Sequence, residues 1–273
     1  MGARDIVLFF RINQWYKNII IFLAIVFSGN FLDASLFFQT LMGFLVLCMV
    51  SSSYYIVNDV IDRKRDMFHA EKSKRPIASG KIKVGVALVI AAVLLFLGMM
   101  FSAALSGVFF WLAVFLFGFT MLYSFVLKRI KFVDMAAIGV NFMVRAVAGA
   151  FIISVWISPY LVAIPFFFSL YLSAGKRYSD LVFSGQNMYK KKTLKLAVWL
   201  FFVLLIASFA VYSIVVHPLF LTASPFVVYA LFRYNGFIFS GSKLARRTEL
   251  MFTDLRLLIS LIGFCAVIFA VLY

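Results

Sequence analysis

Long apolar runs follow one another along this chain with only short polar breaks between them. A run of about 20 apolar residues is the length of a helix that crosses a bilayer. The pattern predicts nine such spans, at about 17–32, 34–57, 84–104, 106–127, 134–156, 159–175, 195–216, 219–240 and 254–273. An amphipathic stub, about 4–13, precedes the first. The connections alternate in character. One set is very short and nearly uncharged, around Gly29-Asn30, Ser106-Gly107, Ile157-Ser158 and His217-Pro218. The other is longer and basic, at 58–83, 128–133, 176–195 and 241–253.

Composition says what surrounds these spans. Of 273 residues 65% are hydrophobic and only 13% charged, whereas soluble proteins carry about 25% charged residues. Lipid must be the solvent for most of the chain, and no room is left for a separate soluble domain. We expect an all-α membrane protein with one transmembrane domain over 1–273. The first residues, with Arg4, Asp5, Arg11 and Asn13, do not read as a cleaved signal peptide. None of the 26 Lys and Arg residues falls in the short loops. By the positive-inside rule the basic loops face the cytoplasm, with the N-terminus inside and, after nine spans, the C-terminus outside. The expected location is the inner (cytoplasmic) membrane. Cys48 and Cys265 lie in apolar segments and read as small core hydrophobes. His69 and His217 are too few and too separated for a zinc site.

The chemistry concentrates after the second span, in Asn58-Asp59-Val60-Ile61-Asp62-Arg63-Lys64-Arg65-Asp66. Asp59, Asp62 and Asp66 stand at i, i+3 and i+7, which share one face of a helix. Three carboxylates then line about 10 Å of helix. Such crowded like charges repel unless something positive lies between them, and Mg²⁺ is the natural guest, completed by phosphate oxygens and water. Ser51 and Tyr55 continue the polar stripe back into the membrane. Simple charge balance in a solvated loop would not need this register. Arg63, Lys64, Arg65, Lys72, Lys74 and Arg75 follow at once, before Pro76-Ile77-Ala78-Ser79-Gly80. Bases beside metal-binding acids suit a polyanionic substrate, although part of this charge is ordinary positive-inside bias.

Other spans carry polar residues on single faces. They are Asp134, Asn141 and Arg145 in the fifth; Ser169, Ser173, Lys176 and Asp180 in the sixth; and Thr120, Ser124 and Lys128, with Tyr123, in the fourth. An intramembrane Arg such as Arg145 costs at least about 2.5–3.5 kcal/mol unless paired or wetted. It is either a structural partner of an acid such as Asp134 or part of a phosphate-binding wall, and Arg233 invites the same two readings. Trp15 and Tyr16 suit interface anchors, and Lys190-Lys191-Lys192 suits lipid headgroups.

At these residues the chain resembles the UbiA-type intramembrane prenyltransferase superfamily, whose hallmark is N-D-x-x-D-x-x-x-D after the second span. Asn58, Asp59, Asp62 and Asp66 match it in full. Finer features are similar to the decaprenyl-phosphate phosphoribosyltransferase-like branch. These are Gln14-Trp15-x-Lys17-Asn18, His69 with Lys74-Arg75-Pro76-Ile77-Ala78-Ser79-Gly80, and Tyr123-Ser124-x-x-Leu127-Lys128 with Asp134. Arg145-Ala146-x-Ala148-Gly149 and Gly175-Lys176-Arg177-Tyr178-Ser179-Asp180-Leu181 complete the set. Quinone-making relatives carry a second aspartate-rich loop after the sixth span. Here Lys176-Arg177-Tyr178-Ser179-Asp180 stands in its place, which suits a second anion better than a second metal.

The resemblance implies nine helices around a central cavity open to the cytoplasm. It also implies Mg²⁺-dependent transfer of 5-phosphoribose from phosphoribosyl diphosphate to a polyprenyl (decaprenyl-type) phosphate, for cell-envelope polysaccharide precursors. Asn58, Asp59, Asp62 and Asp66 would hold the metal, the three aspartates being catalytic. Lys17, Asn58, Lys74, Arg75, Tyr123, Lys128, Asp134, Arg145, Lys176, Arg177, Tyr178 and Asp180 would bind substrates. The expected partners are the polyprenyl phosphate lipid, phosphoribosyl diphosphate and the bilayer, with no nucleic acid. The alternative is prenyl transfer from a polyprenyl diphosphate to an aromatic or other small-molecule acceptor. A transporter or flippase would tolerate the polar faces but has no use for the triple-aspartate register.

Overall fold

The computed structural model describes residues 2–69, 72–185 and 188–273, and among them every regular element is a helix. The chain packs as two compact units, Met1–Lys128 with Val144–Trp156, and Arg129–Met143 with Ile157–Tyr273.

The first unit begins with α1 (Ala3–Phe9). An eleven-residue 3-10 helix, Ile12–Phe22, runs into α2 (Leu23–Phe27). Then come α3 (Ala34–Ile61), the single turn α4 (Arg63–Asp66), α5 (Val84–Leu105) and α6 (Gly107–Phe125). Helix α7 (Val133–Ile152) gives its first half to the second unit and its second half to the first. The second unit adds α8 (Pro159–Ser184), α9 (Lys191–Val216), α10 (Ser224–Phe239), the single turn α11 (Lys243–Arg246) and α12 (Leu255–Leu272).

Polar side chains cap several of the helix starts. Asp33 accepts from the N–H groups of Ser35 and Leu36 at 2.9 and 3.0 Å and caps α3. Ser158 accepts from Leu161 and caps α8, with Pro159 in the first turn, where its missing N–H costs nothing. Asp254 caps α12 through Leu257 and also takes both arms of Arg233, at 2.7 and 2.6 Å. Arg233 is thus a structural ion-pair partner that ties α10 to α12. At its other end α8 stops on Gly185, whose φ of 69° a side chain would resist.

Among the described residues six helices are long and apolar enough to cross a membrane: α3, α5, α6, α7, α9 and α12. A seventh is gained if α1 and the segment Ile12–Phe27, bent by 54° at their junction, form one span. The chain is therefore an integral, multi-pass membrane protein. The segment expected at 17–32 is a 3-10 helix plus five α-helical residues. The one at 219–240 is a short 3-10 turn, Pro218–Ala223, and a sixteen-residue helix. The one at 159–175 continues to Ser184, and its last third carries Lys176, Arg177 and Asp180. Cys48 is buried as expected, but Cys265 is exposed on α12 rather than in the core.

Small residues let the helices of the first unit approach closely, as membrane packing favours. Ala87 and Ala91 of α5 are buried, and Ser53 of α3 donates to the Ala91 carbonyl at 2.8 Å. A Cβ on Gly149 of α7 would stand 2.1 Å from the Ile21 carbonyl oxygen. The Arg145-to-Gly149 motif thus contains a packing requirement. Gly149→Ala is expected to destabilise the chain by about 1–3 kcal/mol, the usual cost of overpacking, read as a lowered midpoint of thermal unfolding in detergent. An unchanged midpoint would mean that the helices separate freely there.

Candidate functional site

The acids sit where α3 ends. Hydrogen bonds from Asp62 N to Asn58 O and from Asp66 N to Asp62 O, both 2.9 Å, carry the helical turn through the break at Asp62. Asp59 and Asp66 are buried at 4% and 1% exposure, and Asp62 is half-buried. Asp62 receives the Asn58 amide and, at 3.2 Å, Arg65.

Apolar packing brings the bases to these acids. Phe9, Ile56, Ile77, Ile82, Ala87 and Ala91 form one buried cluster. In the Lys74-to-Gly80 motif, Pro76, Ile77 and Ala78 are the buried plug that anchors the loop. Ser79 N to Arg75 O, at 2.8 Å, closes its turn. Arg75 is thereby fixed between Asp59 and Asp66. Its Nη1 donates to Asp59 Oδ1 at 3.0 Å and makes a short bond to Asp66 Oδ2. Arg11 also bonds Asp59, through Nε at 3.1 Å and Nη2 at 2.5 Å. Lys81 pairs with Asp5 of α1 and holds its carboxyl below the ordinary value. Lys74 is exposed.

Where the sequence suggests a divalent ion between the acids, a guanidinium lies between Asp59 and Asp66. Among the described residues no three His, Cys, Asp or Glu side chains converge closely enough to hold a metal. The donor set nevertheless fits Mg²⁺ in kind: the amide oxygen of Asn58 and three carboxylates are hard oxygen ligands. Asp66 Oδ1 is buried and lacks a hydrogen-bond partner, an acceptor position of the kind a cation would fill.

Deeper in the first unit, Arg145 is 5% exposed and hydrogen-bonded to Asn18 Oδ1 at 2.9 Å and the Tyr54 hydroxyl at 3.0 Å. Asn18 also donates to Ser51, and Tyr54 donates to the same hydroxyl. Trp15, a candidate interface anchor by sequence, instead donates its indole N–H to Ser52. Lys17 is half-buried, its ammonium 5.9 Å from the Tyr16 ring centroid. Tyr123 and Lys128 are half-buried at the end of α6 and in the following turn.

The second unit holds a separate polar knot. Asp134, 2% exposed, accepts from Arg177 Nε at 2.8 Å and Nη2 at 2.5 Å and from the Tyr189 hydroxyl at 2.5 Å. Arg177 also donates to the Ser173 carbonyl and hydroxyl. Tyr189 accepts from Phe132 N, whose φ is 67°. Burial, then the bond to Asp134, pushes the Tyr189 phenol up to about 12, so it stays a donor at neutral pH. Burial likewise raises the Asp180 carboxyl, against the opposing pull of Lys176, Arg246 and Arg177. Lys176 is exposed. Tyr178 is buried in the apolar core, edge-on to Phe239 at 5.1 Å. An apolar cavity of about 280 Å³ lies in the same unit, lined by residues including Phe168, Tyr171, Phe209, Leu231 and Phe264.

Arg11 and Tyr189 do not stand out in the sequence. Arg11 lies 48 positions from Asp59, in a stub that reads only as amphipathic. Tyr189 is one aromatic residue before a lysine run.

Apolar helices with buried carboxylates and arginines paired to them define a polytopic membrane protein with buried ion pairs. The UbiA prenyltransferase family model matches residues 18–255, and the chain belongs to that family. It is 32% identical over 182 residues to the decaprenyl-phosphate phosphoribosyltransferase of Corynebacterium glutamicum, covering 63% of this chain and 53% of that protein. It is 31% identical over 175 residues to the enzyme of that name from Mycolicibacterium smegmatis, covering 63% and 55%. The match thus spans about half the length of these relatives. In fold it is similar to a UbiA homolog from Archaeoglobus fulgidus bound to DMAPP and Mg²⁺, with a TM-score of 0.73 at 19% identity, over 97% of this chain and 98% of that one.

Proposed function

We propose that this chain is a Mg²⁺-dependent transferase that moves 5-phosphoribose from phosphoribosyl diphosphate to a polyprenyl phosphate and releases diphosphate. What carries the reading is the buried pair Asp59 and Asp66 with two arginines on it, in a chain about 31% identical to decaprenyl-phosphate phosphoribosyltransferases. Asn58, Asp59, Asp62 and Asp66 would hold the metal, which when bound would neutralise charge on the departing diphosphate. Lys74 and Arg75 hold donor phosphates. Lys17, Lys128, Arg145, Lys176 and Arg177 serve the remaining phosphates, including that of the lipid. Tyr123, Asp134 and Asp180 complete the proposed substrate-binding set, whereas Tyr178 packs in the apolar core against Phe239.

A phosphate oxygen of the lipid attacks the anomeric carbon as the bond to diphosphate breaks, and diphosphate leaves with the electron pair. The nucleophile needs no general base, because a phosphate monoester with a second pKa near 6 is largely dianionic at pH 7. His69, exposed in the basic loop, is not required as one. In this reading residues 1–273 form one domain of nine spans in the inner membrane. The N-terminus is cytoplasmic, the C-terminus is outside, the cavity opens to the cytoplasm, and the product feeds cell-envelope polysaccharides.

The second reading is prenyl transfer from a polyprenyl diphosphate to a small acceptor, favoured by the DMAPP-bound structure of a protein with the same fold. Membranes containing the chain, given Mg²⁺, polyprenyl phosphate and ribose-labelled donor, are expected to yield labelled lipid that is lost in Asp59→Asn. In a parallel incubation supplied with a polyprenyl diphosphate and an aromatic acceptor, prenylated acceptor, with no labelled lipid in the first incubation, would favour the second reading and end the first.

A further inference from the structure

No step in the reading above uses Arg11 itself, yet it holds Asp59 with two of its guanidinium nitrogens, Nε and Nη2. Its backbone is left-handed, φ 55° and ψ 38°, a conformation that a non-glycine residue keeps only when its surroundings impose it. Those surroundings are visible on both sides. Phe9 is buried against Ile56, Ile77 and Ile82, and the Phe10 carbonyl accepts from Ser52 at 2.7 Å. Ser52 in turn receives the Trp15 indole, and Lys81 holds α1 through Asp5. The guanidinium lies 5.8 Å from the Tyr55 ring centroid. With Arg75 on Oδ1 as well, both oxygens of Asp59 are engaged by cations. A carboxylate held this way serves a metal ion only when a guanidinium lets go, and a guanidinium fork fits phosphate oxygens as well as it fits carboxylate.

The geometry points to Arg11 as an exchange residue: it holds Asp59 while the site is without donor, yields that carboxylate when a metal-bearing diphosphate arrives, and turns its fork onto a diphosphate oxygen. This rests on the reading that the acid cluster takes Mg²⁺ and a diphosphate, whichever substrate carries it. Arg11 then has opposite effects on two ligands. It competes with bare metal and it favours metal with diphosphate. A merely structural arginine has no such split, because disordering the stub weakens both.

The test uses Mn²⁺ as a probe for Mg²⁺, with free Mn²⁺ followed by electron paramagnetic resonance on the full chain in lipid nanodiscs. Arg11→Gln is expected to bind bare Mn²⁺ tighter than the unaltered chain, on the order of tenfold, the scale of one charge-assisted bond. It is expected to bind Mn²⁺ with inorganic diphosphate more weakly by a similar factor. Bare Mn²⁺ affinity that is unchanged, or that falls together with diphosphate affinity, overturns the assignment. If Arg11→Gln does not unfold cooperatively, Arg11→Lys decides. It keeps the charge and loses the fork, so it should retain bare-metal affinity and bind diphosphate more weakly, and equal loss of both overturns the idea. Inorganic diphosphate carries no ribose, so these outcomes stand apart from donor identity. The expected Mn²⁺ behaviour without any phosphoribosyl transfer would count only against the proposed reaction.

Discussion

Asp66→Asn is expected to leave a folded chain that has lost catalysis by a factor on the order of 10²–10³, the usual effect of removing one group that stabilises developing charge. The side chain is 1% exposed, with Oδ2 on Arg75 and Oδ1 without a hydrogen-bond partner. Asparagine keeps the shape and one acceptor, so Arg75 retains a bond there and its second one to Asp59. What disappears is one of the negative charges that the proposed divalent ion would need. Turnover of labelled donor, beside thermal unfolding of the same preparation, separates the two effects. Asp66→Asn turning over at the unaltered rate at saturating Mg²⁺ would remove this carboxylate from the mechanism. A collapse of folding and activity together would make its role structural.

The largest effect on stability is expected at Asp134. Its carboxylate accepts from Arg177 twice and from Tyr189 once, at 2% exposure. Removing one partner of a buried ion pair costs about 3–5 kcal/mol, because the other charge stays behind in a poor solvent. Asp134→Ala should lower unfolding stability by that amount. Arg177→Met in the same chain should recover part of it, since the two side chains act as a unit. Tyr189→Phe removes one neutral donor and should cost less, about 1–2 kcal/mol. If the double variant is as unstable as the sum of the single ones, the knot is not a coupled structure. Chemical unfolding in one detergent, with all variants compared, gives the answer.

Much of this was legible in the residues. The apolar runs mark a multi-pass membrane protein, because no other solvent accepts so much hydrocarbon. The run from Asn58 to Asp66 marks the acid site, because its spacing is local and a helix converts it directly into proximity. Pro76, Ile77 and Ala78 look like a motif in the chain and are a buried anchor in the fold. Arg145 was visible as an anomaly, but its partners Asn18 and Tyr54 were not, since they lie 127 and 91 positions away.

The sequence by itself determined the solvent, the helical class and the place where carboxylates crowd, all set by composition and short-range periodicity. Only the tertiary structure decided which bases meet those acids. Arg11 and Arg75 both reach Asp59, and Asp134 pairs with Arg177 and Tyr189. The physical reason is that charge pairing across long stretches of chain depends on how apolar surfaces pack. Packing that seats Phe9 against Ile56 and Ile77 leaves no regular spacing in the sequence to be read.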